Sequence, residues 1–87
     1  MTYYVYLIKC TSPGVKKSYV GYTNNLQLRL KKHNNNKGAK TTKGYKWLLI
    51  YSKEFNNKSS AMSYEYQFKK NYYLRNKILK QNSNEKN

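Results

Sequence analysis

Only three acidic residues, Glu54, Glu65 and Glu85, face eighteen lysines and arginines in this chain of 87 residues, for a formal charge of +15. Self-repulsion of that size opposes compaction, and a chain this short has one compact core with which to resist it. Carboxylates are the scarce resource, so any acid placed inside the fold needs a reason. A polyanionic partner would relieve the repulsion: nucleic acid is the leading candidate and an anionic membrane surface the second. An A/T-biased genome would also enrich Lys, Asn and Tyr, but it would add Glu and Asp as readily. Against a background of Lys, Arg29 and Arg75 stand out as positions where the planar guanidinium fork is needed.

A single cysteine, Cys10, excludes an internal disulfide and a cysteine-based zinc cluster; it lies in an apolar run, where it packs as a small hydrophobe. The N-terminus lacks the pattern of a secretory signal. The longest apolar stretch, Trp47 to Tyr51, is far too short to cross a bilayer. A soluble, cytoplasmic protein with no membrane partner is expected.

The pattern along the chain then orders the elements. Residues Tyr3 to Cys10 form a β-branched and aromatic run that reads as a strand. Thr11-Ser12-Pro13-Gly14 reads as a turn, and Ser18 to Tyr22 resumes the extended pattern as the partner of a hairpin. Thr23 or Asn24 offers a cap for a helix in which Leu26 and Leu30 share one face and Arg29 and His33 another. A basic loop over 37–46 leads to a third strand, Trp47 to Phe55. A second helix is expected from about 60 to 71, capped by a serine, with Ala61, Tyr64, Phe68 and Tyr72 as its apolar stripe and Glu65 beside it. Leu74, Ile78 and Leu79 suggest a third helix after a kink near Asn71. The order β-β-α-β-α-α predicts an α/β (α+β) fold, a small three-stranded mixed or antiparallel sheet flanked by helices. The domain is expected over residues 1–80, with 81–87 as a disordered polar tail.

No Gly-rich phosphate loop, no Ser-His-Asp set and no His/Cys zinc spacing is present. Three Glu spread along the chain do not readily supply a pair of close carboxylates. What remains is one acid, one or two bases and many cations. Phosphodiester cleavage fits that inventory, because its barrier falls mainly through stabilising negative charge on phosphate.

Tyr4-Val5-Tyr6 and Tyr19-Val20-Gly21 on neighbouring strands are followed by Arg29, by His33 four residues later, by the segment Gly38-Ala39-Lys40-Thr41-Thr42-Lys43-Gly44 and by the helical Glu65. In this order the set resembles the GIY-YIG nuclease family, and in particular its small single-domain bacterial branch. That branch is similar to the nuclease core of the bacterial excision-repair incision subunit and of the eukaryotic structure-specific flap endonuclease. Tyr4 stands where the first motif carries Gly, and Lys77 where some relatives carry Asn. The resemblance implies a metal-dependent DNA endonuclease of little sequence specificity, in a setting such as DNA repair or recombination. It implies that Glu65 binds one divalent metal, Mg²⁺ or Mn²⁺, completed by water and phosphate. It further implies that Tyr6 activates or orients the attacking water, Tyr19 positions water or phosphate, Arg29 stabilises the pentacovalent phosphate, and His33 orients the nucleophile or contacts phosphate. Lys31, Lys32, Lys37, Lys40 and Lys43 are expected to hold the DNA backbone. A monomer is expected, with DNA shape or a targeting protein subunit supplying selectivity.

Each residue also has a plainer account. Tyr6 and Tyr19 fit ordinary packed strand aromatics, Arg29 and His33 an exposed helix stripe, and Glu65 a surface residue paired with Lys69 at i+4. Two other functions fit the composition: a basic nucleic-acid-binding protein without turnover, whose tyrosines stack on bases, and a scaffold subunit of a nuclease complex.

Overall fold

The apolar run near the N-terminus forms the middle of the sheet. In the computed structural model, which describes residues 1–83, β1 (Tyr3–Cys10) lies between β2 (Ser18–Thr23) and β3 (Trp47–Phe55), antiparallel to both. Val5, Tyr6, Leu7 and Ile8 are all buried, as a central strand covered on both faces requires. Three helices follow the expected order: α1 (Leu26–Asn34), α2 (Lys58–Lys70) and α3 (Tyr72–Ser83), with a 3-10 turn at Lys40–Thr42 before β3.

Side chains alternate across the strands, so the sheet has two differently covered faces. On one, Val5, Leu7 and Val20 pack with Ala61 and Phe68 of α2 and Ile78 of α3. On the other, Tyr6, Ile8, Cys10 and Trp47 pack with Tyr19 and with Leu26 and Leu30 of α1. A register shift between Leu7 and Ile8 lets both faces draw on β3: Leu7 faces Tyr51 while Ile8 faces Leu49, leaving Ile50 as the extra residue. The odd-numbered residues of β3 therefore change face at this bulge. Trp47 and Leu49 belong to the α1 side, Tyr51 and Phe55 to the α2–α3 side. Cys10 is buried, as its apolar surroundings predict.

Helix α2 docks through rings. Phe68 lies 5.2 Å from Tyr51 and 5.6 Å from Tyr64, Tyr64 lies 5.2 Å from Phe55, and the hydroxyls of Tyr51 and Tyr64 are 2.8 Å apart. These offset contacts add to the burial of apolar area.

Three local expectations are corrected. Asn25, rather than Thr23 or Asn24, caps α1, its side-chain oxygen accepting from Leu28 N at 3.1 Å; Thr23 instead accepts from Asn25 N, one step earlier. Asn57 rather than a serine caps α2, accepting from Ser60 N at 2.8 Å, so the helix takes in Ser59 and Ser60. Asn ranks with Ser at this position, and its longer amide reaches the open N–H groups here. Tyr72 leaves the α2 stripe. Asn71 stops α2 and its side chain accepts from Leu74 N at 3.0 Å, which resets the helical phase and leaves Tyr72 68% exposed. The expected kink near Asn71 is thus a break with its own cap. Helix α3 continues through residues 81–83, and the expected disorder of 84–87 lies outside the described residues.

Phe68 carries the α2 packing, so Phe68→Ala should cost about 3–5 kcal/mol. In a domain of this size that lowers the midpoint of thermal unfolding by roughly 12 °C or more, which circular dichroism would measure.

Candidate active site

Strand β2 is an edge strand, and α1 and α2 approach it from opposite faces of the sheet. Where they meet around that edge lies a cleft of about 520 Å³. Its walls include Tyr19 and Gly21 from β2, Arg29 and Lys32 from α1, and Lys58 and Glu65 from α2. Side chains distant in sequence thus converge by topology alone: β2 supplies the rim, α1 brings Arg29 and Lys32, and α2 brings the acid together with Lys58.

Tyr6 sits just beneath this cleft. Register places it opposite Gly21, and a Cβ at Gly21 would lie 2.5 Å from the Tyr6 hydroxyl oxygen and 3.1 Å from the Tyr19 ring. The absent side chain is what lets the phenol reach towards the cleft. The ring is otherwise buried, only 2% exposed. Its hydroxyl lies 2.8 Å from His33 Nε2.

The tautomer of His33 follows from its second partner. Thr42 Oγ1 donates its proton to Ala39 O at 2.9 Å, so it is left to accept from His33 Nδ1, also at 2.9 Å. With Nδ1 protonated in the neutral ring, Nε2 is an acceptor, and Tyr6 O–H donates to it. The result is a directed chain from Tyr6 through His33 and Thr42 to a backbone carbonyl. His33 is 1% exposed, which overturns its reading as a surface helix stripe. Gly38 is required here as well, because a Cβ there would collide with the imidazole. Trp47 closes the same corner, its indole N–H donating to Thr42 O at 3.0 Å, and Asn34 clamps the Trp47 backbone at both N and O.

Burial pushes the Tyr6 phenol up to about 12, against a lowering pull from the hydrogen bond and charge of Arg29; the nearby Tyr19 and Glu65 raise it further. Burial holds His33 below its ordinary 6.5, and the Arg29 charge adds to the effect. His33 is therefore neutral at pH 7, an available proton acceptor. Arg29 spends part of its fork on Tyr6, its Nε is buried with no hydrogen-bond partner, and the residue lines the cleft, where a guanidinium suits an incoming oxyanion.

Glu65 is the carboxylate of the cleft. Its side chain is 17% exposed and lies 3.4 Å from Lys69 Nζ. Glu54 sits on β3, the far edge of the sheet. Among the described residues no group of three or more His, Cys, Asp or Glu could hold a metal ion. A hard divalent cation that keeps most of its water and takes phosphate oxygens needs only one or two carboxylates, and Glu65 meets that requirement.

Of the residues singled out in the sequence, Tyr19, Arg29, Lys32 and Glu65 line the cleft, and Tyr6 and His33 lie behind it. Lys31, Lys37, Lys40 and Lys43 are exposed but do not line it. Lys58 and the orienting Thr42 were not singled out. Thr42 carries no local pattern that would mark it, since its role exists only once the 3-10 turn folds over His33.

The family model described as the GIY-YIG catalytic domain matches residues 2–79. The chain belongs to the GIY-YIG family. The two tyrosine motifs of this nuclease family are the paired strands β1 and β2. A UPF0213 protein of Oceanobacillus iheyensis is 46% identical over 68 residues, covering 77% of this chain and 76% of its own. One from Clostridium perfringens is 47% identical over 68 residues, covering 77% and 70%. The solution NMR structure of a UPF0213 protein from Bacillus halodurans superposes with a TM-score of 0.51 at 30% identity, over 98% of this chain and 89% of that one. No helix among the described residues of this GIY-YIG domain is long and apolar enough to cross a membrane.

His33 is the one histidine of the chain, so its titration can be read directly. Because burial lowers its folded-state pKa, the stability it contributes is present above pH 6.5 and is lost as pH falls below it. The imidazole proton resonances in an NMR titration should show a midpoint below 6.5. A midpoint at or above that value would contradict the buried neutral ring.

Proposed function

We propose that this protein is a divalent-metal-dependent endonuclease that hydrolyses phosphodiester bonds in DNA with little sequence specificity. The observation that carries the reading is the directed chain from Tyr6 to His33 and Thr42, set beneath a cleft that holds Arg29 and a lone carboxylate.

The substrate phosphate binds at Arg29, whose guanidinium lines the cleft and carries the charge and N–H fork that suit phosphate oxygens. The attacking water lies against the Tyr6 hydroxyl through the opening at Gly21, with Tyr19 as the adjoining wall. A phenol titrating near 12 is rarely ionised at pH 7, so Tyr6 does not wait as a phenolate. As the water oxygen bonds to phosphorus, its proton passes to the Tyr6 oxygen while the Tyr6 proton moves to His33 Nε2. One ester P–O bond breaks, and the leaving oxygen takes a proton from solvent. The imidazolium is held in place by Thr42 and returns its proton through Tyr6. Glu65 is the residue that would hold Mg²⁺ or Mn²⁺, which when bound supplies positive charge beside the phosphate and leaving oxygen. Lys32 at the cleft contacts the DNA backbone, and the exposed Lys31, Lys37, Lys40 and Lys43 extend the positive field that draws DNA in without reading sequence.

Glu65→Gln and Arg29→Ala should each lower cleavage of DNA in Mg²⁺ or Mn²⁺ by at least about 10²–10³-fold, with unchanged circular dichroism spectra. EDTA should abolish cleavage by the unaltered protein. Full activity in either variant would sink the assignment. Retarded mobility of DNA without shortening would point instead to a binder with no turnover.

A further inference from the structure

The cleft continues past Tyr19. A second hollow of about 180 Å³ shares Tyr19 with it and is lined further by Ser18, Val20, Lys69 and Arg75. A third, about 580 Å³, shares Ser18 and Arg75 with the second and reaches Lys9, Lys16, Tyr72 and Lys80. The shared walls make one trough, running from the cleft along the outer edge of β2 to the β1–β2 loop and α3. The part of α3 that faces it is a single stripe, Tyr72, Arg75, Asn76, Leu79 and Lys80, at helical spacing.

The lining of this trough is chemically uneven in an informative way. Lys9, Lys16, Lys17, Lys69, Arg75 and Lys80 contribute to it, and neither of the two outer hollows is lined by a carboxylate. Lys69 stands at the junction, paired with Glu65 at the cleft. Arg75 stiffens the floor by donating to the carbonyls of Phe68 at 3.2 Å and Lys69 at 2.9 Å. Between the cations lie apolar surfaces, Val15 and Leu79, and the exposed ring of Tyr72. Cations alone would suit any polyanion. Cations interleaved with an exposed ring and an apolar floor suit a chain that presents phosphates and unstacked base faces together.

We propose that this trough is a binding track for an unpaired strand of nucleic acid, continuous with the strand whose phosphate occupies the cleft. The direction of the track rests on reading the cleft as the nuclease site. A duplex keeps its base faces stacked on one another and would offer none to Tyr72, whose ring has the Arg75 guanidinium 5.9 Å from its centre. An acidic peptide or an anionic membrane would match the charge but not the continuity with the cleft.

The test is equilibrium binding of the full chain in EDTA, which reads the track without cleavage. The probe is a fluorescent oligothymidylate of about 15 nucleotides, with a duplex of equal length beside it. Lys9→Gln combined with Lys16→Gln should weaken single-strand binding about ten-fold and reduce its salt slope by roughly 1.4, two phosphate contacts' worth. Tyr72→Ala should weaken single-strand binding at least about five-fold and leave duplex binding nearly unchanged. The charge-matched control is Lys53→Gln combined with Lys77→Gln, exposed residues that line neither cleft nor trough; it should have a smaller effect. All three variants alter side chains outside the buried core, and unchanged melting curves would confirm that they fold. Losses no larger than the control's would overturn the track. So would an equal loss of duplex and single-strand binding in Tyr72→Ala, or a Lys9/Lys16 defect confined to phosphatidylserine vesicles or polyglutamate. Because no cleavage is measured, a failed Glu65→Gln prediction removes the nuclease reading while leaving this binding result standing.

Discussion

The hydrogen bond between Tyr6 and His33 is the polar contact on which the geometry of the candidate site depends. It joins the central strand to α1 in a place where neither partner can turn to water, so a lost partner leaves a buried polar atom at a cost of about 1–3 kcal/mol. Its directionality is fixed from outside, by the hydroxyl of Thr42 and beyond it the carbonyl of Ala39. Two glycines make room for it, Gly21 under the phenol and Gly38 beside the imidazole. The basic loop between α1 and β3 is therefore more than a solvated connection. It delivers the residue that decides which nitrogen of His33 is bare, and it does so between two anchors, the Asn34–Trp47 clamp and the Trp47–Thr42 contact.

A chain so poor in acid uses one of its few carboxylates beside the cleft, under an arginine and several lysines. That placement is costly to interpret as surface decoration. The ion pair with Lys69 is of the i, i+4 kind that contributes only about 0.3–0.5 kcal/mol in an exposed helix, too little to account for the position. The sheet edge explains how the acid gets there. A helix on each face can lean over an unpaired strand, so side chains from opposite layers meet without crossing the sheet. The same exposed edge would otherwise invite pairing with another chain, and lysines flanking it discourage that.

All three strands and the order of strands and α-helices were legible because β-branched and aromatic runs bounded by turn residues leave few alternatives, whereas the 3-10 turn at Lys40–Thr42 falls in a segment whose pattern reads as loop. The strand limits of β1 and β3 agree with the pattern. Helix starts were less legible, since Asn, Ser and Thr cluster ahead of both α1 and α2 and the choice among them depends on which side chain reaches an open N–H. Tyr72 was misplaced because a periodic stripe carries no mark of a break in phase, and only the cap at Asn71 reveals it. At the site, the membership of Tyr19, Arg29 and Glu65 in one cleft was implied by the family resemblance that the ordered motifs carry. The depth of Tyr6 and His33 did not. Helical spacing relates His33 to Arg29 but says nothing about a loop folding over it, and Thr42 has no role until it does.

The extra residue in β3 has a consequence for how this domain can change. Because Ile50 switches the orientation of everything beyond it, the strand's first half answers to the layer that cradles His33 and its second half to the aromatic ladder beneath α2. Ironing out the bulge with Ile50 kept in the ladder would slip the later half by one residue and turn it inside out, presenting Tyr51 and Phe55 to the wrong side. Keeping the bulge separates two sets of demands: substitutions that retune the ladder need not disturb the imidazole on the other side of the wall. A small domain with a single sheet thereby acquires two compartments that can drift at different rates.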